Sequence, residues 1–170
     1  MTSTGNTQSL GKGMLFIAFI LLLGLFTWFF QSALEEQYNP NQTFNSSIDE
    51  HHIEIKLQRN RLGHYVTSGT INGNKTVFLL DTGATYVAVP EKLAHKLKLK
   101  KGRRITVSTA NGTNIGYQTQ LAEVTLGEIK LHNIKAIITP GLKEVLLGMS
   151  VLKQLEFTQR GDQLTIRQYF

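Results

Sequence analysis

The pattern of apolar and polar positions changes character twice along the chain. From Met14 to Phe30 every residue is uncharged, and only Thr27 is mildly polar. A run of that length is at the lower limit for crossing a hydrocarbon core of about 30 Å at about 1.5 Å per residue. After residue 30 no period is visible, and Asn39, Pro40, Asn41, Asn45, Ser46 and Ser47 crowd together. That composition predicts a flexible linker over 31–56, its least patterned part ending near residue 52. Ile53, Ile55 and Leu57 then alternate with Glu54, Lys56 and Gln58, which begins a series of short strands.

Turn chemistry divides that series. Tyr65–Ile71 and Val77–Leu80 flank Asn72-Gly73, a pair suited to a tight hairpin. Ile105–Thr109 and Ile115–Leu121 flank Asn111-Gly112, and Glu156–Thr158 and Leu164–Ile166 flank Gly161-Asp162. Two short helices interrupt the strands. Pro90 suits a first helical turn, with Leu93, Ala94 and Leu97 at helical spacing after it. Ser150–Leu155 forms the other. A faint repeat links Val77-Phe78-Leu79-Leu80-Asp81 with Val145-Leu146-Leu147-Gly148, each leading into a loop and helix.

The flanks of the apolar run bear on its role. Lys12 precedes it, and Glu35 and Glu36 follow, which favours a cytoplasmic N-terminus at 1–13 and an anchor at 14–30. Trp28, Phe29 and Phe30 end the run where aromatic rings favour an interface. A cleaved signal peptide is the competing reading, but its apolar run is usually shorter and followed by small residues.

Composition narrows the chemistry. The chain has 170 residues, is 41% hydrophobic and contains no cysteine. Disulfides, thiolate nucleophiles and cysteine zinc sites are therefore excluded. The adjacent pair His51-His52 cannot face one site on a regular element, so no metal is expected. The net charge of +6 leaves anionic partners open. Its densest part is Lys96, Lys98, Lys100, Lys101, Arg103 and Arg104, which reads as a solvated helix end and strand start. Attraction to anionic lipid is the sharper alternative. Nucleic acid is not expected, because no aromatic residue interleaves with these cations.

The aspartates are more informative. There are three: Asp49 in the polar linker, Asp162 in a turn, and Asp81 at the end of an apolar strand. Asp81 opens Asp81-Thr82-Gly83-Ala84. Packing pins such a carboxylate, the threonine hydroxyl can brace a loop, and glycine allows close backbone approach while its N–H can donate to the carboxylate. With Leu146-Leu147-Gly148 downstream and a hairpin between, the sequence resembles the retropepsin-like aspartic proteases. Within them it is most similar to the single-domain, membrane-anchored bacterial members. The resemblance covers about residues 57–170, with the N-terminal anchor matching as well.

The resemblance implies a mainly β fold, a closed acid-protease barrel with one or two short helices behind one N-terminal transmembrane helix. It implies a homodimer in which each subunit supplies one Asp81, cleaving peptide or protein substrates without metal or cofactor. Thr82, Gly83 and Ala84 would support the catalytic loop, and Leu146, Leu147 and Gly148 would form the second loop. Ala110, Asn111 and Gly112 would tip a flap, against the plainer reading of a surface hairpin. Many relatives carry serine where Ala84 stands, so loss of that hydroxyl predicts an activity optimum nearer neutral. The implied location is a bacterial inner membrane, with the catalytic domain on the periplasmic side. A non-catalytic peptide-binding or sensory module on the same fold is the alternative function. A surface-binding domain using the basic stretch is a third. Sequons at Asn41, Asn45, Asn74 and Asn111 matter only in a eukaryotic secretory route.

Overall fold

The computed structural model describes residues 5–109 and 112–170. The chain divides into two units, Met1–Gln37 and Tyr38–Phe170. Helix α1 (Gly5–Tyr38) accounts for the first. Over Gly11–Tyr38 it is long and apolar enough to cross a bilayer, and its large side chains from Met14 to Phe30 are exposed.

The second unit is built from strands. Its strands are β1 (Asn45–Ile48), β2 (His52–Gln58), β3 (Val66–Ile71), β4 (Asn74–Leu80) and β5 (Val87–Pro90). Helix α2 (Glu91–Lys96) follows Pro90, whose φ of −56° suits a helix entry. Then come β6 (Arg104–Thr109), β7 (Gly112–Leu126), β8 (Ile129–Thr139) and β9 (Val145–Leu147). Helix α3 (Met149–Leu152) leads to the closing hairpin, β10 (Glu156–Arg160) and β11 (Gln163–Tyr169).

The fold is mainly β, and pairing closes its larger sheet. That sheet runs β3-β4-β9-β5-β8-β7-β6, and β3 also pairs with β7 through Thr70↔Thr125 and Ile71↔Val124. The seam is tight. A Cβ on Gly69 would lie 2.3 Å from the Thr125 carbonyl oxygen, so only glycine lets the strands meet. Phe78, Ile71, Leu121, Leu126, Ile138 and Leu147 are fully buried in the core. Each stabilises the fold by about 1.5–3 kcal/mol relative to exposure.

The smaller sheet runs β1-β2-β11-β10 and is antiparallel throughout. Ile55, Leu57, Leu164 and Ile166 turn toward the core. The opposite face is polar, with Arg167 bonded to Glu54 at 2.7 Å and to Glu156 at 3.0 Å. Burial opposes ionisation of Glu54, but hydrogen bonds from Arg167 and Lys56 outweigh it and hold the carboxyl below the ordinary range.

The turns follow their residues. Asn72 and Gly73 take φ of 50° and 76°, the left-handed pair a two-residue hairpin needs. The hairpin of β6 and β7 differs from expectation. Thr109 pairs with Gly112, so Gly112 opens a strand instead of filling the turn, while Ala110 and Asn111 lie outside the described residues. The second helix is also shorter than the expected Ser150–Leu155.

The expected linker over 31–56 is replaced by ordered structure. Gln31, Ala33, Leu34, Glu35, Glu36 and Gln37 are good helix formers, so α1 continues to Tyr38 and stops just before Pro40. Asn39 and Asn41 are buried, 4% and 5% exposed. The Asn41 side chain donates to Gln58 O at 2.9 Å and Val66 O at 2.7 Å, and accepts from Gln58 N–H at 2.6 Å. It stitches β2 to β3. Asp49 accepts the N–H groups of His51 and His52, each at 2.8 Å, which shapes the β1–β2 turn and holds its carboxyl below its usual range.

Candidate active site

Two parallel strands present the central loops. β4 pairs with β9 in the register Phe78↔Val145, Leu79↔Leu146 and Leu80↔Leu147. The next residue on each strand is Asp81 and Gly148, which therefore emerge side by side. Asp81 N–H donates to Leu147 O at 3.2 Å and ties the loops together at their base.

The Asp81 loop is held by its own backbone. Gly83 N–H donates to Asp81 Oδ1 at 2.8 Å, and Ala84 N–H donates to Asp81 O at 3.2 Å. The first bond fixes the carboxylate orientation with a donor that suits the charged form. Thr82 is exposed, and Asp81 is partly buried.

The Gly148 loop supplies the brace. Met149 N–H donates to Ala84 O at 2.7 Å, and Ser150 N–H donates to Thr85 O at 2.9 Å. Val87 N–H donates to Ser150 Oγ at 3.0 Å in a buried setting. The start of α3 thus grips the segment after Asp81. A Cβ on Gly148 would lie 2.2 Å from Tyr86 O and 2.6 Å from Ala84 O, so the crossing needs glycine. Ser150 entered the sequence reading only as a helix position; its place two residues after the second glycine was the available signal.

A cleft of about 530 Å³ opens beside Asp81. Its walls include Ile105 and Val107 from β6, Ile137 from β8, and Leu142 and Leu146. Asp81 is the one carboxylate among the described residues lining it. The other aspartates are occupied elsewhere: Asp49 in its turn and Asp162 in an ion pair with Arg59. A larger cavity of about 800 Å³ lies between Tyr38, Lys75, Lys92 and Glu144, but Asp81 does not line it. The basic stretch forms the exposed connection from α2 to β6. There Lys101 pairs with Glu91 and sits 4.8 Å from the Tyr117 ring centroid.

Comparison with known proteins agrees with this arrangement. Residues 67–154 match the family described as "gag-polyprotein putative aspartyl protease". The crystal structure of a retropepsin-like aspartic protease from Rickettsia conorii superposes with a TM-score of 0.60 at 33% identity, covering 75% of this chain and 96% of that one. A Sinorhizobium protein encoded in the cobV 5′ region is 37% identical over 120 residues, 67% of this chain and 52% of its own length. A Rickettsia prowazekii protein is 34% identical over 122 residues, 68% of this chain and again 52% of its own. Both are uncharacterised, and the chain spans about half their length. A closed β fold with Asp81-Thr82-Gly83 at a strand end places the chain in the aspartic-protease class. The chain belongs to the retropepsin-like aspartic protease family.

Proposed function

We propose that the chain is a membrane-anchored aspartic endopeptidase that acts as a homodimer, with Asp81 from each copy completing one site. The observation that carries this reading is the cleft itself, in which Asp81 is the one carboxylate among the described lining residues. Two carboxylates about 3 Å apart cannot both ionise, so they share a proton and titrate as a pair. The ionised Asp81 takes a proton from a water held between them. That water attacks the peptide carbonyl carbon, and the protonated Asp81 of the other copy donates to the developing oxyanion.

The surrounding residues have distinct duties in this scheme. Gly83 fixes the carboxylate, and the Gly148 loop braces the segment behind it. Ile105, Val107, Ile137 and Leu142 offer an apolar wall to a substrate side chain. The hairpin of β6 and β7 acts as the flap, closing over an extended peptide and excluding water. Its first strand already lines the cleft with Asp81. Helix α1 is the anchor. Lys12 before it and the glutamates after it favour a catalytic unit on the periplasmic side of a bacterial inner membrane.

The test is cleavage of a peptide library by the full chain in detergent, wild type beside Asp81→Asn. Loss of cleavage is expected. Activity surviving the substitution would sink the assignment. No cleavage by the wild type, with peptide still retained in a dimer, would instead favour a peptide-binding module.

A further inference from the structure

The cavity of about 800 Å³ lies away from Asp81 and has no part in the proposed chemistry. Its size suits a small ligand. Three lysines from three different elements line it: Lys75 from β4, Lys92 from α2, and Lys143 from the connection between β8 and β9. The two carboxylates on its wall are engaged. Glu144 accepts from the Tyr38 hydroxyl, and Glu91 pairs with Lys101, which does not line the cavity. Among the described residues, none of the three lysines takes part in an ion pair. Cations gathered on one concave surface focus their field and attract an anion into it.

The place of the cavity along the chain indicates which anion. Tyr38 is the last residue of α1, and it lines the cavity. It is fixed there twice. Its hydroxyl donates to Glu144, and its carbonyl oxygen accepts from the Asn60 side chain at 2.9 Å. The chain thus enters the catalytic unit at a fixed point on the cavity wall. Tyr38 is also the eighth residue after Phe30 on one unbroken helix, a rise of about 12 Å. The headgroup layer on each side of a bilayer is about 5–8 Å thick. A lysine beside Tyr38, on its flexible four-carbon stem, spans the remaining distance to the phosphates. Val77 lines the same cavity and is 42% exposed, which suits a ligand with an apolar portion better than bare phosphate.

We propose that this cavity binds the headgroup of an anionic phospholipid from the bilayer that holds α1, with Lys75, Lys92 and Lys143 on its phosphate. The proposal rests on the reading of α1 as a membrane anchor and is independent of the chemistry at Asp81. Binding there seats the catalytic unit on the membrane surface by a second contact, beside the helix that tethers it. The basic stretch from Lys96 to Arg104 adds a general attraction to the same surface, but the cavity supplies the specific site.

The test is native mass spectrometry of the full chain, released from mild detergent with equal amounts of phosphatidylglycerol and phosphatidylcholine. The wild type should retain phosphatidylglycerol with a preference of about 10-fold or more. Replacing the three cavity lysines together, Lys75→Gln, Lys92→Gln and Lys143→Gln, should abolish that preference. Lys143→Gln alone should lower it by about 3-fold, which keeps the test open if the triple variant folds poorly. Removing the same charge outside the cavity, with Lys96→Gln, Lys98→Gln and Lys100→Gln, should leave the preference in place. Equal retention of both lipids by the wild type, a preference that survives the cavity variants, or one that falls in the outside variant would each overturn the cavity site and leave the anchor standing. Displacement of the lipid by an equal concentration of inorganic phosphate would overturn the bilayer as the source of the anion. Flotation with phosphatidylcholine vesicles checks the anchor separately. A chain that does not float would overturn the anchor reading and the headgroup site together.

Discussion

The loops at Asp81 and Gly148 leave neighbouring parallel strands in register, yet they do different work. The first carries the Asp81 carboxylate and is exposed at Thr82 and Gly83. The second carries no charge; it crosses the backbone of the first so closely that a Cβ would strike two carbonyl oxygens. Of the two loops, one thus presents a carboxylate and the other braces it, the first running on into β5 and the second directly into α3. Among the described residues the cleft therefore holds one carboxylate, Asp81, and the counterpart position on the neighbouring strand is the glycine at 148.

Substitutions can break this division from either side. Asp81→Asn should lower kcat/KM by about 10³-fold or more, by removing the acid–base group, while leaving the melting temperature near wild type. Gly148→Ala should do the reverse in kind. Its Cβ meets backbone, which cannot swing away, so denaturant unfolding should show a loss of about 3 kcal/mol or more. Ser150→Ala strands the buried Val87 N–H and should cost about 1–3 kcal/mol in the same measurement. Equal activity per folded molecule in the Ser150 variant would confirm that the brace acts through stability.

The smallest change sharpens the comparison within the reacting loop. Ala84→Ser should move the acid limb of the pH–rate profile down by less than about one unit, by offering the ionised carboxylates a hydroxyl donor. Acid unfolding must be kept apart from that limb. Glu54 has its folded-state carboxyl depressed, so its stabilisation is full above the ordinary carboxylate range and is lost as pH falls through the lowered value. Glu54→Gln should flatten the melting temperature against pH in that acid window. Ala84→Ser should leave that profile unchanged, and a joint shift would show the limb to be unfolding.

The Asp81 loop and the Asn39–Asn41 segment differ as sharply in how readable they were. Asp81-Thr82-Gly83 declares itself because its geometry is local: strand, carboxylate and glycine donor lie within a few residues. The hairpins at Asn72-Gly73 and Gly161-Asp162 were readable for the same reason. Asn39, Pro40 and Asn41 carry the composition of a solvated tether. Their bonds to Gln58, Val66 and Ser68 depend on partners far along the chain, which turn polar residues into core. The cleft wall was hidden likewise, since Leu142 reaches Asp81 only through the barrel. Gly148 stood out in the sequence as the counterpart of Asp81, but its steric reason lies in the crossing with Ala84–Tyr86.

The buried Asn41 has a practical consequence for anyone making this protein. Asn41-Gln42-Thr43 is an acceptor sequence for N-linked sugar. In a eukaryotic secretory host the sugar would be attached before folding is complete, to a side chain destined for a site 5% exposed. A glycosylated chain would then be unable to close β2 onto β3. Yeast or mammalian secretion should therefore yield misfolded material, which replacing Thr43 by alanine would rescue without touching the asparagine.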